Sequence, residues 1–144
     1  MNIEEAMDFI HQTYWRGSKL GLTRIEELLS RLGDPQKKLR FVHIAGTNGK
    51  GSVSAMLASV LKEAGYRTGL YTSPFIMRFN ERIRVNGREI TDPELISLVE
   101  RVRPHVEAME RRPTEFEVIT AMGFLYYLER GCDLSLIHIS EPTD

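Results

Sequence analysis

Residues 39–52 read Leu-Arg-Phe-Val-His-Ile-Ala-Gly-Thr-Asn-Gly-Lys-Gly-Ser, and this stretch decides the fold. Its first seven residues form a compact apolar run that fits a strand covered on both faces, as in a parallel sheet. The run passes directly into a Gly-rich turn, Gly46 to Ser52. Behind the turn, Val53, Met56, Leu57, Val60, Leu61 and Ala64 recur at helical spacing, and Gly65 stands where a helix is expected to end. Arg67 to Thr72 then reads as a second strand. Together these pieces make a βαβ unit, which right-handed crossover places in a parallel sheet.

The turn also has chemical content. Gly46, Gly49 and Gly51 let backbone N–H groups wrap an anion without interference from Cβ atoms, Lys50 adds a point charge, and the following helix presents the partial positive charge of its N-terminus. Ser52 or Thr47 offers a hydroxyl to a phosphate oxygen or to Mg²⁺. The strict G-x-x-x-x-G-K-[ST] pattern is not met, because Ile44 holds its first glycine position and Gly51 separates Lys50 from Ser52. The bland rival is a Gly-rich strand-to-helix turn with an exposed lysine. Phosphate binding explains more of the residues.

Outward from this unit, Ile3, Ala6, Met7, Phe9, Ile10 and Tyr14 predict a first helix, broken at Gly17-Ser18-Lys19. Thr23 and Glu26 form a capping-box pattern before the stripe Ile25, Leu28, Leu29 and Leu32, which Gly33-Asp34-Pro35 stops. On the other side, Asn86-Gly87 between Arg82–Val85 and Arg88–Ile90 predicts a β-hairpin. Thr91 and Glu94 open a helix carrying Leu95, Leu98, Val99, Val102, Val106 and Met109, which Pro104 is expected to kink or interrupt. Thr114 and Glu117 form a third box, opening a helix with Val118, Met122, Leu125 and Tyr126 on its buried side and Gly131 at its end. Asp133 to Ile139 reads as a third parallel strand, apolar enough to pair beside the strand before the phosphate turn.

Composition narrows the class. With 144 residues, 19 basic and 20 acidic side chains and 42% hydrophobic residues, the chain suits one ordinary soluble α/β domain, with no linker or repeat to divide it. Balanced charge gives no broad basic field for nucleic acid, and no apolar run nears the roughly 20 residues that span a bilayer. The acidic start MNIEEAMDFIHQ does not resemble a secretory signal, so a cytoplasmic location is expected. A single cysteine, Cys132, excludes an intrachain disulfide, and His11, His43, His105 and His138 lack metal-set spacing.

At this point the chain resembles a family. His43 to Ser52 is similar to the phosphate loop of the folylpolyglutamate synthase and dihydrofolate synthase group, within the Mur ligase superfamily. Leu20-Gly21-Leu22-Thr23-Arg24 resembles that group's L-G-L-x-R stretch, Tyr71-Thr72-Ser73-Pro74 its T-S-P segment, and Phe79-Asn80-Glu81-Arg82-Ile83 with Asn86-Gly87 its F-N-E-R-I…N-G segment. Phe116-Glu117 with Thr120-Ala121 is similar to its F-E-x-x-T-A helix start. Five matches in order extend from about residue 17 to residue 133.

The resemblance implies an incomplete phosphate-loop α/β domain of an ATP-dependent ligase. Such a ligase joins L-glutamate to a folate or dihydropteroate carboxylate through an acyl phosphate, with ATP and Mg²⁺ required and small molecules as its only partners. It further implies that Thr47, Asn48, Gly49, Lys50, Gly51 and Ser52 hold the ATP phosphates, with Lys50 as the catalytic cation. Ser73 and Ser52 would be Mg²⁺ ligands. Leu20, Gly21, Arg24, Phe116 and Glu117 would border the substrate, its ring stacking on Phe116. Without the resemblance Ser73 is an ordinary strand-to-loop residue, Phe116 equally a core residue, and Glu117 already explained by its capping box; for Glu117 the two roles are compatible.

The match stops at Asp133. Where the family places a glutamate Mg²⁺ ligand, His138 stands, and residues from about 135 to 144 read as foreign to the family. The family's C-terminal glutamate-binding domain has no counterpart. The expectation is a domain truncated after its third parallel strand, inactive alone, from an enzyme that is a monomer when intact. Two rivals remain open: another amino-acid ligase of the superfamily, or a non-catalytic nucleotide-binding module.

Overall fold

The computed structural model describes residues 1–12, 23–44, 50–73 and 78–139, with the side chains of residues 50–53, 73, 138 and 139 outside that description. In chain order the elements are α1 (Ile3–Gln12), α2 (Thr23–Arg31), β1 (Phe41–Ile44), α3 (Lys50–Glu63), β2 (Thr68–Ser73), β3 (Ile83–Val85), β4 (Arg88–Glu89), α4 (Asp92–Ala108), α5 (Glu115–Glu129) and β5 (Leu134–Ile139), with 3-10 turns at Pro35–Lys38 and Phe79–Arg82. They form two compact units, Met1–Lys38 with Asp92–Tyr126, and Leu39–Thr91 with Tyr127–Asp144. Each unit draws on stretches far apart in sequence, so no Pro- or Gly-rich linker marks a boundary.

The first unit is helical. Asn2 caps α1 by accepting the Glu5 N–H at 2.8 Å, and the Glu5 carboxylate accepts the Asn2 N–H at 3.1 Å, so two otherwise orphaned donors are satisfied reciprocally. Ala6, Phe9 and Ile10 form the buried face of α1, which packs on α4. Alternating steps of three and four place Leu95, Leu98, Val99, Val102 and Val106 on one buried stripe of α4. Of the two expected outcomes at Pro104, interruption does not occur: α4 continues through it to Ala108. Pro104 removes the N–H that would bond the Glu100 carbonyl, and both residues are exposed, a setting in which solvent can hydrate that carbonyl. Helix α2 buries Leu28 and Leu29 and ends where Gly33 (φ 91°) and Asp34 (φ 53°) turn left-handed.

The second unit is built on a five-stranded sheet in the order β1-β5-β2-β3-β4. β1, β5 and β2 are mutually parallel, pairing Ile44 with His138 and His138 with Thr72, so their carboxyl ends share one edge. β1 and β2 are therefore not neighbours; the strand predicted from Asp133 to Ile139 separates them. The β3–β4 hairpin extends the sheet antiparallel from β2. It turns at Asn86 (φ 50°) and Gly87 (φ 81°), the left-handed pair a two-residue hairpin loop requires.

Burial departs from the sequence expectation at β1. β1 was read as covered on both faces, yet Phe41 and Val42 are 37% and 36% exposed. β1 lies at the sheet's edge, and an apolar run alone does not distinguish edge from centre. On α3 the inward face is Leu57, Ala58 and Leu61, packed against Ile44, Leu70 and Leu136, with Ser54 buried as well. Met56 and Val60, which share the helical spacing of Leu57 and Leu61, are 69% and 63% exposed. Helical periodicity admits two apolar stripes on α3, and only the one containing Leu57 and Leu61 meets the sheet.

Gly69 of β2 packs directly against Tyr127. A Cβ placed there would lie 2.7 Å from the ring of Tyr127, which is fully buried. Arg67 ties the opposite end of β2 to β5: its N–H donates to Asp133 at 2.8 Å, and its guanidinium to the Arg130 carbonyl at 2.8 Å.

Candidate functional site

The sheet's shared carboxyl edge is where a ligand of a parallel α/β unit binds. β1 ends there at Ile44, and α3 begins at Lys50, so the Gly-rich turn connects that edge to a helix N-terminus. Thr47, Asn48 and Gly49 lie outside the described residues. Lys50, Gly51 and Ser52 form the first turn of α3, with only their backbone described. Ser73 is the last residue of β2, paired with Ile139 and one step beyond the rung containing Ile44, so its backbone belongs to the same edge. Among the described residues no group of three or more His, Cys, Asp or Glu could hold a metal ion. Hydroxyl oxygens such as those of Ser52 and Ser73 are hard donors, and Mg²⁺ characteristically takes few protein ligands, completing its shell with phosphates and water. The donor chemistry fits.

The second group of site residues lies in the helical unit. Thr114 and Glu117 form the predicted capping box at the start of α5: the Thr114 N–H donates to Glu117 Oε1 at 2.8 Å, and the Glu117 N–H to Thr114 Oγ1 at 3.3 Å. The same Oε1 accepts the Arg24 Nε–H at 3.1 Å, and the two side chains are only 12% and 10% exposed. Sequence reading assigns Arg24 and Glu117 separately to the substrate border and misses that they pair. Nothing in two residues 93 positions apart signals an ion pair, beyond their both falling in motifs of one family. Glu115 is tied as well, its carboxylate 2.9 Å from His11 Nδ1. Between these two anchored acids Phe116 stays 43% exposed, whereas Val118, Ile119, Ala121 and Met122 beyond it are fully buried. That contrast argues against a core role for Phe116. Leu20 and Gly21 lie outside the described residues.

Cys132 is held apart from this chemistry. Burial pushes its thiol from 9.0 up to about 11, with Asp133 adding to the shift and Arg67 and Arg130 partly opposing it. A thiol so poorly ionised is not a nucleophile near neutrality.

Parallel strands ending on one edge, with a Gly-rich turn entering a helix, define the chain as an α/β protein of the phosphate-loop class. It is similar to folylpolyglutamate and dihydrofolate synthases. It is similar to the dihydrofolate synthase/folylpolyglutamate synthase of Bacillus subtilis, 51% identical over 130 residues that cover 88% of this chain and 30% of that protein. The apo form of L. casei FPGS superposes with a TM-score of 0.90 at 43% identity, covering 96% of this chain and 35% of that one. An FPGS complex with AMPPCP and folate does so with a TM-score of 0.87 at 41% identity, again over 96% and 35%. No family model matches the chain. The chain thus spans about a third of the length of these relatives. No described helix is long and apolar enough to cross a membrane.

Proposed function

We propose that this chain supplies the nucleotide-phosphate turn and the pterin-facing helix start of a ligase that uses ATP to join L-glutamate to the carboxylate of folate or dihydropteroate. The observation that carries the reading is the 51% identity to the B. subtilis synthase, whose name states both activities. The FPGS complex with AMPPCP and folate supports an ATP-type nucleotide and a folate as the ligands.

A carboxylate is a poor electrophile in water. Transfer of the ATP γ-phosphoryl to it gives an acyl phosphate, which the glutamate amine attacks with expulsion of phosphate. Phosphoryl transfer depends mainly on positioning and on neutralising charge, and the chain offers groups for both. Backbone N–H groups of residues 46–52 cradle the phosphates at the N-terminus of α3, and Lys50 compensates the charge developing on the transferred group. The Ser52 and Ser73 hydroxyls would hold Mg²⁺, which would supply charge neutralisation to the phosphates. Phe116 provides an exposed aromatic face for the pterin ring.

A chimera tests this reading. Residues 1–133 replace the matching part of the B. subtilis synthase, and phosphate release is measured with dihydropteroate and glutamate. The expected result is release that requires both substrates and is abolished by Lys50→Ala with circular dichroism unchanged. A well-folded chimera whose turnover survives Lys50→Ala would remove the assigned role of the turn. The other ligases of the superfamily predict release with a different carboxylate and none with a pterin.

A further inference from the structure

We propose that Arg24 is a positioning residue rather than a substrate ligand, and that through Glu117 it holds Phe116 ready for a planar heteroaromatic ring. The proposal rests on the substrate reading above and specifies how that part of the site is built.

The argument starts from burial. A guanidinium whose side chain is 12% exposed, with its Nε–H 3.1 Å from a carboxylate oxygen, is directed inward. Glu117 Oε1 receives that bond and the Thr114 N–H at 2.8 Å, so one oxygen joins the start of α2 to the start of α5. Charge-assisted bonds of this kind are shorter and stronger than neutral ones, and a planar donor such as guanidinium fixes direction as well as distance. Phe116 precedes Glu117 and follows Glu115, itself bonded to His11 at 2.9 Å. An exposed aromatic residue flanked by two anchored neighbours has little backbone freedom left. A ring ordered in advance binds a flat ligand without a further ordering cost.

The charge logic gives a test that separates indirect from direct action. Removing one partner of a buried pair leaves the other uncompensated, whereas removing both does not. Folate binding to the purified 144-residue chain is measured by titration calorimetry for the wild type, Arg24→Gln, Glu117→Gln, the double variant and Arg24→Lys, with the melting temperature of each recorded. Each single glutamine variant should weaken folate binding by about ten- to a hundredfold, the range for losing one charged hydrogen bond. The double variant should bind no worse than the weaker single variant, because both changes break one link. Arg24→Lys keeps the charge and the fold, and should recover part of the affinity.

Additive losses in the double variant would show that Arg24 meets the ligand itself, and would overturn the proposal alone. So would melting temperatures that fall while folate affinity stays constant, since the pair would then serve only stability. A folded wild type that fails to bind folate would overturn the substrate reading and this proposal together, and that outcome is recognisable before any variant is examined.

Discussion

Replacing Gly69 with alanine should destabilise the protein, although alanine in a strand ordinarily gains about 0.5–1 kcal/mol over glycine. The added Cβ would lie 2.7 Å from Tyr127 Cδ1 and 2.9 Å from Cε1 and Cγ. Carbon atoms pack best at about 3.5–4.0 Å, so the ring or strand must retreat by roughly 1 Å. Tyr127 is fully buried and cannot swing into solvent. Overpacking costs about 1–3 kcal/mol, and an approach this close to an immobile ring belongs at about 2–3, which leaves a net loss of roughly 1–2 kcal/mol after the glycine term. For a chain of this size that corresponds to a fall in Tm of about 3–6 °C, read by calorimetry or circular dichroism. The partner is named, so the reasoning has an internal control: in a Tyr127→Leu background the same Gly69→Ala change should cost less than half as much. A neutral or stabilising Gly69→Ala in the wild-type background, or equal cost in both backgrounds, would refute it. The consequence reaches the site, because β2 carries Ser73 at its far end.

Three further outcomes follow from local chemistry. Thr114→Ala removes the hydroxyl that accepts the Glu117 N–H and should cost about 1 kcal/mol in chemical denaturation, as loss of an N-cap does. Asn86 accepts the Thr68 N–H at 2.9 Å from a left-handed backbone, so Asn86→Ala should cost about 2 kcal/mol; Asn86→Gly, which keeps the backbone freedom and loses only the bond, should cost about half that. Cys132 should react with iodoacetamide along a pH profile centred near 11 rather than 9.0. Because the folded thiol holds its proton more tightly than the unfolded one, its contribution to stability is full below pH 9.0 and is lost as pH rises toward about 11, so denaturation at pH 7 and pH 10.5 gives the sign.

The parts of the fold legible in the sequence are those set by short-range rules. The strands β1 and β2 with helix α3 between them, the Asn86-Gly87 hairpin, the Thr114–Glu117 box and the stripe of α4 each depend on residues within a few positions of one another. What escaped depends on which surface meets which. Two apolar stripes run along α3, and only contact with Leu70 and Leu136 selects the one containing Leu57 and Leu61. The run Leu39 to Ala45 looks like an interior strand, but β1 lies at the edge among the described strands, so Phe41 and Val42 stay exposed. Pro104 stands inside α4 at an exposed position, as does Glu100 one turn before it, and exposure is not read from residue type. The Asn2–Glu5 cap was readable, since asparagine followed three residues later by glutamate is a start signal; the stronger apolar pattern behind it concealed it. The Arg24–Glu117 pair was not readable, because each residue has an adequate local explanation and only the fold brings them within 3.1 Å.

Binding of AMPPCP with Mg²⁺ to the 144-residue chain, measured by titration calorimetry, tests whether residues 46–52 form a nucleotide-phosphate site. The account predicts saturable binding by the wild type and at least a tenfold loss in Lys50→Ala, about the effect of removing one charged phosphate contact, with melting temperature unchanged in the absence of nucleotide. Equal affinity in the two proteins, or no binding by a folded wild type, would contradict it.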